Sequence, residues 1–409
     1  MKIRSITYFL DPQWPLDESA LDAAGEFIAA ARPAYESAGY DVQTARLATV
    51  PFPNLFPRGD FADLAPFAQD LEGRASQRGY NYVSLGPALP EFPDSFDVIP
   101  DVMAVTKNVF LSGVMASKED GVSLPALRAC ARVIQRAAPL EANGFANLRF
   151  AALANVPAGA PFFPAAYHSG GRPTFALATE AADLAVEAFS GMASLEDARR
   201  ALINAVENHA QAMSRVSADL AVRFRLPFGG IDFSLAPFPQ DHISIGAALE
   251  RLGVPAVGMH GSLAAAAMVT EALENADFPR TGFSGLFLPL MEDAVLTERA
   301  QDGWLTLEDI LLYSAVCGTG LDTIPLPGDV SPEAISAVLL DLSALALRLD
   351  KPLTARLMPI PGKAAGDPTE FDFDYFANGR VVAIKAEPLS GLLAGEETVE
   401  LAPTAPRGI

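Results

Sequence analysis

Several stretches of this 409-residue chain put ionisable or nucleophilic side chains where an extended segment meets a turn. In Gly229-Gly230-Ile231-Asp232-Phe233-Ser234, Asp232 and Ser234 stand two apart and so share one face of a strand. Acids inside apolar runs are rarely buried unpaired, so Asp232 reads either as a working carboxylate or as a cap on a neighbouring turn. The run from Gly285 to Asp293 ends in adjacent acids, Glu292 and Asp293. Ligands gather at the carboxyl ends of strands in α/β folds, and the same two acids are equally well placed to cap a following helix. Cys317-Gly318-Thr319-Gly320-Leu321-Asp322 joins a helical pattern to an apolar run. Gly318 and Gly320 would let backbone approach a ligand, or simply permit left-handed turns; Cys317 is a nucleophile or an inert small hydrophobe.

Two further turns carry charge, Asp329 after Leu326-Pro327-Gly328 and Lys363 after Pro359-Ile360-Pro361-Gly362. Glu292, Asp293, Asp322 and Asp329 together would make an oxygen-rich group suited to Mg²⁺ or Ca²⁺. His168, in the glycine-bearing loop Tyr167-His168-Ser169-Gly170-Gly171, is the best general acid or base. Arg46 and Lys363 would position an anionic substrate, with Ser234, Gly318 and Gly320 contributing binding contacts. The histidines show no zinc-ligand spacing, and no phosphate loop, dinucleotide fingerprint or nucleophile elbow stands in a fitting context.

The elements that must position these residues alternate short apolar runs with longer helical patterns. Strands are expected at Ile3 to Phe9, Tyr40 to Thr49, Asn81 to Gly86, Val109 to Gly113, Leu148 to Val156 and Thr174 to Ala178. More follow at Ile231 to Leu235, Ala256 to Gly258, Leu286 to Leu290, Leu321 to Leu326, Leu353 to Ile360 and Arg380 to Lys385. Helical periodicity fills the intervals, strongly over Leu124–Arg136 and also over Leu16–Gly39, Leu195–Arg225 and Pro332–Arg348. Such alternation predicts parallel strands joined by crossover helices, and so many strands favour closure over one open sheet. No composition break divides residues 1–395, so one α/β domain is expected, with a loosely ordered tail over 396–409.

Composition narrows the function. The formal charge of −21 and a sequence pI near 4.5 argue against nucleic acid and anionic membrane surfaces as partners. Half the residues are hydrophobic, 19% are charged and the mean hydropathy is +0.22, so a large core and a homo-oligomeric interface are expected. Two cysteines exclude a disulfide framework. Without a signal peptide or an apolar run of about 18 residues, a cytoplasmic protein is expected. Two function classes remain: an enzyme acting on a small polar metabolite at an acidic site, or a non-catalytic metabolite-binding or scaffold protein.

The ordered motifs resemble one family over essentially the whole chain. Met1 to Thr7, Val42 to Arg46, Pro164 to His168, Gly230 to Pro237, Gly285 to Asp293, Val316 to Ile324 and Arg356 to Lys363 carry the resemblance to the DUF711 family, also called UPF0210. This implies a pyruvate-formate-lyase-like α/β barrel of ten strands, two parallel halves of five with helices outside and a loop at the centre. Cys317 would sit near that centre. Glycyl-radical enzymes of this barrel type carry a glycine near the chain end, and Arg380-Val381-Val382-Ala383-Ile384 has alanine at the corresponding place. Glycyl-radical catalysis is therefore not expected.

Overall fold

A computed structural model describes residues 1–56 and 59–404. The strands are β1 (Lys2–Leu10), β2 (Val42–Thr49), β3 (Tyr82–Ala88), β4 (Val109–Ser117), β5 (Gly121–Ser123), β6 (Phe150–Ala154), β7 (Thr174–Glu180), β8 (Phe228–Ala236), β9 (Gly320–Pro327), β10 (Leu353–Ile360) and β11 (Thr398–Val399). Their main path runs β8-β7-β1-β2-β3-β4-β6-β10-β9. β1, β2, β3, β4 and β6 are mutually parallel. The pairs β7–β8 and β9–β10 are also parallel, but β7 meets β1 and β10 meets β6 antiparallel. The chain is thus a mixed α/β fold, in which two parallel groups run in opposite directions. Single bridges, Leu235 with Leu286 and Pro289 with Asp322, link the two ends of the path through the segment 286–290.

Alternation along the strands separates two faces. Ile3, Ile6, Tyr8 and Leu10 of β1, Ala45 and Leu47 of β2, and Ile231, Phe233 and Leu235 of β8 join the main apolar cluster beneath the helices. The helices form where apolar residues recur at helical spacing and a side chain holds the first free N–H groups: Asp17 caps Glu18–Ser37, Ser194 caps Leu195–Phe224 and Ser331 caps Pro332–Arg348. The other face packs on the loop between β6 and β7. Phe163 and Ala166 of that loop join Phe9, Ala48, Phe110 and Ala176. Ala160 and Ala165 join Ala151 and Leu153, while Phe162 joins Ala178, Ala236 and Phe287. The loop's carbonyls accept hydrogen bonds from inward hydroxyls, Pro161 from Thr7 and Ala166 from Ser84.

Some expected elements are different. Ala256–Gly258 is a turn, since Val257 bridges only to Met259 within it. Arg380–Lys385 runs beside the sheet with a single bridge, Pro368 to Arg380. Segment 286–290 meets its neighbours only through isolated bridges, because its prolyl residue Pro289 lacks a donor. The tail expected to be loose is tied down as far as it is described. Thr398 and Val399 pair with Ser123 and Val122, and Arg128 donates to the Gly395 carbonyl. Residues 405–409 lie outside the described residues.

Candidate functional site

Three strands each bury an arginine on the loop-packed face. Arg4 comes from β1 beside a register shift between Ile3 and Ser5, Arg46 from β2 and Arg356 from β10. Arg4 donates to Glu180 at 2.7 Å and to Glu292 at 2.8 Å. Arg356 donates to Glu292 at 2.7 Å and to Asp322 at 2.6 Å. Gln43 completes the chain with a 2.8 Å bond from its Nε2 to Glu180. Two guanidinium groups therefore share three carboxylates in one continuous buried network, the arrangement in which charge can be kept out of water. Burial works against the charge on Arg356, but Asp322 and Glu292 outweigh it and raise its pKa; Glu292 and Glu180 do the same for Arg4.

Arg46 is treated differently by its surroundings. It is 7% exposed, yet among the described residues no carboxylate lies within ion-pair distance of it. Its Nε donates to Thr44 Oγ1 at 2.9 Å, and its guanidinium lies 5.1 Å from the Phe163 ring centre and 5.9 Å from that of Tyr82. Burial, reinforced by the positive charges of Arg4 and Arg356, pulls its pKa down to about 9. At neutral pH it remains a cation, but one that the fold stabilises poorly.

These groups border a cavity of about 100 Å³. On the same measure one water needs roughly 10–15 Å³, so the space suits a small molecule. Arg4, Arg46, Arg356, Glu292 and Asp322 form its polar wall. Phe162 and Phe163 of the loop, Phe283 and Phe287, and Tyr375 supply aromatic walls. Tyr375 lies over Arg4, with 4.7 Å between the guanidinium and the ring centre.

Asp232 and Ser234 share a face, as expected: Ser234 Oγ donates to Asp232 Oδ1 at 2.6 Å. Asp232 also accepts from the backbone N–H groups of Phe283 and Ser284, each at 2.7 Å. It therefore pins the segment that carries Phe283 to the cavity wall. Burial raises its pKa to about 6, despite the opposing hydrogen bonds from Ser234, Phe283 and Ser284.

The remaining expected site residues are dispersed. Asp293 is fully buried as a cap, accepting from Ser244 Oγ and from the N–H groups of Ile245, Gly246 and Leu296. Asp329 is exposed, and Lys363 pairs with Glu370 at 3.3 Å. Among the described residues no three His, Cys, Asp or Glu side chains converge as a metal site. Of the acids expected as metal ligands, Glu292 and Asp322 instead spend their lone pairs on arginines. His168 is buried outside the cavity wall, its Nδ1 accepting from the Gly170 N–H at 3.2 Å and its backbone N–H donating to the Thr49 carbonyl. Burial lowers its pKa and so favours the neutral imidazole.

Cys317 does not lie at the centre of the strands. It is 1% exposed in the apolar layer under the helices, and its carbonyl accepts from Lys351 Nζ. The segment that occupies the inner face is the β6–β7 loop. Gly318 and Gly320 serve backbone packing: an added Cβ would come 2.8 Å from Gly285 Cα at Gly318 and 2.5 Å from the Thr354 carbonyl oxygen at Gly320. Arg4, Gln43, Glu180, Arg356 and Tyr375 were not expected in the site. The available signal was an arginine within an otherwise apolar strand, present in Ile3-Arg4-Ser5-Ile6, Ala45-Arg46-Leu47 and Ala355-Arg356-Leu357.

A family model described as "Uncharacterised ACR (DUF711)" matches residues 1–377. A "UPF0210 protein" of Pyrobaculum arsenaticum is 33% identical over 401 residues, covering 92% of this chain and 86% of the relative. A second, from Pyrobaculum islandicum, is 34% identical over 86% of this chain and 81% of its own length. A third, from Acetivibrio thermocellus, is 30% identical over 81% and 77%. Whole-length agreement at this level leaves one assignment: the chain belongs to the DUF711 family of UPF0210 proteins.

Proposed function

We propose that this protein binds a small anionic metabolite in the cavity bordered by Arg46, Glu292, Asp322 and Arg356. The observation that carries the reading is Arg46: a buried cation with no carboxylate partner among the described residues, facing space large enough for a ligand. Leaving a guanidinium desolvated and unpaired costs free energy that an arriving carboxylate or phosphate would recover. The enzyme reading belongs to the same site. Asp322, whose pKa is raised by burial against the opposing pull of Arg356, is the group at the cavity wall suited to give or take a proton.

The barrel reading of the fold is part of this proposal. Support comes from the antiparallel meeting of two parallel groups and from the bridges at Leu235–Leu286 and Pro289–Asp322, which would supply a tenth, weakly paired strand and close the ring. The β6–β7 loop would then be the central loop. A homo-oligomer in the cytoplasm remains the expected setting; among the described residues no helix is long and apolar enough to cross a membrane.

Calorimetry with acetate, phosphate and succinate on the wild type and on Arg46→Met tests the binding reading. Saturable binding of at least one anion that disappears in Arg46→Met supports it. Equal behaviour of the two proteins toward every anion refutes it.

A further inference from the structure

The walls around the cavity differ sharply in chemistry. Part of the lining is the ionic network; much of the rest is built of rings contributed by separate parts of the chain. Phe162 and Phe163 come from the β6–β7 loop, Phe283 and Phe287 from the segment pinned by Asp232, and Phe110 from β4. These rings form two sets that line the same cavity: Phe162 and Phe287 have centres 4.6 Å apart and Phe283 and Phe287 5.9 Å, while Phe110 and Phe163 lie 5.4 Å apart. Phe163 is also the ring on which the Arg46 guanidinium lies. The anchor for an anion and the start of the aromatic wall are therefore adjacent.

A simple inorganic anion would use only the first of these features. It would leave the aromatic wall facing water, the configuration that apolar burial acts to remove. A carboxylate attached to a flat ring would use both, with the acid at Arg46 and the ring edge- or face-on to Phe163 and its neighbours.

We infer that the ligand of this site is an aromatic carboxylic acid: a planar, ring-bearing anion whose carboxylate meets Arg46 and whose ring packs among Phe162, Phe163, Phe283 and Phe287. The inference rests on the anion-binding reading above and narrows it to a ligand class. Phe283 and Phe287 hold the specificity, because they contribute ring surface without sharing the charge network.

Three probes separate the contributions: benzoate, acetate (the anion without the ring) and benzyl alcohol (the ring without the anion). Calorimetry on the full chain is expected to show benzoate binding at least tenfold tighter than either of the others. Phe287→Leu should reduce benzoate affinity by a larger factor than acetate affinity, bringing the two together, and Arg46→Met should reduce benzoate to the level of benzyl alcohol. Benzoate binding no tighter than acetate, with both lost in Arg46→Met, overturns the aromatic inference and leaves the anion reading standing. Benzoate and benzyl alcohol binding equally, with Arg46→Met without effect, overturns both. No benzoate binding to the wild type overturns the inference whatever the variants do.

Discussion

Replacing Arg46 by methionine removes a buried cation while retaining a side chain that fills similar space. The fall of the Arg46 pKa from the ordinary arginine range to about 9 corresponds, at about 1.36 kcal/mol per pH unit, to roughly 5 kcal/mol by which the folded state disfavours its charge at neutral pH. The sign follows from linkage. From about pH 9 up to the ordinary arginine range the unfolded chain holds a proton that the folded chain releases, so stability rises with pH across that interval. Below about pH 9 the full penalty applies. Against it stand the hydrogen bond to Thr44, worth about 1 kcal/mol, and stacking on Phe163 and Tyr82, worth about 1–2 kcal/mol. The net expectation is that Arg46→Met stabilises the ligand-free protein by on the order of 1–3 kcal/mol. Urea unfolding at pH 7 in a zwitterionic buffer, free of phosphate and carboxylates, gives the comparison. A variant less stable than the wild type by 2 kcal/mol or more would show that the charge is already compensated, and the case for an anion at Arg46 would fail.

Asp232 gives a pH signature of the opposite kind. Its folded pKa of about 6 lies above its ordinary 3.8, so the stability it contributes is complete below about pH 4 and is lost as pH rises to about 6. Over that interval the stability difference between wild type and Asp232→Asn should change by about 3 kcal/mol in favour of the variant; a constant difference would contradict the burial argument. Asp322 faces Arg356, Glu292 and Arg4; burial raises its pKa, and the charge of an incoming anion would favour its protonated form further. Benzoate affinity should therefore strengthen as pH falls, by at most about tenfold per pH unit, and Asp322→Asn should flatten that slope in titration calorimetry. Gly318→Ala forces a Cβ onto the Gly285 backbone and should cost about 1–3 kcal/mol in denaturant unfolding while leaving the folded variant's anion affinity intact. Loss of affinity without loss of stability would restore Gly318 to the binding surface.

The outward half of the fold was legible in the sequence because it obeys local rules. Leu353–Ile360 and Pro332–Arg348 have the expected bounds, since alternation, a serine cap and a first-turn proline all act within a few residues. The inward half was not. Glu292 and Asp322 were recognised as acids at strand ends, but their partners are Arg4 and Arg356, up to 288 residues away in the chain. Nothing local distinguishes an acid that will hold a metal from one that will hold a guanidinium. Asp293 shows the same limit from the other side: one residue beyond Glu292, it turns away from the cavity and caps two helices. Cys317 misled through its glycines, which answer to the close approach of the Gly285 backbone rather than to a ligand. The arginines within apolar strands were readable, and weighing them as the acids were weighed would have placed the site.

The loop between β6 and β7 has a consequence for how such a protein can change. The strands and helices hold one another through the outer apolar layer, whereas Phe162 and Phe163, two of the rings that line the cavity beside Arg46, arrive on the one connection between β6 and β7. Shell and insert are thus separable in sequence although nested in space. Edits to Phe162, Phe163 or Ala165 would reshape the chamber without disturbing a strand register or a helix cap, while the three arginines on β1, β2 and β10 stayed in place. Within one family, divergence in what is held and constancy in the shell that holds it need not compete for the same residues.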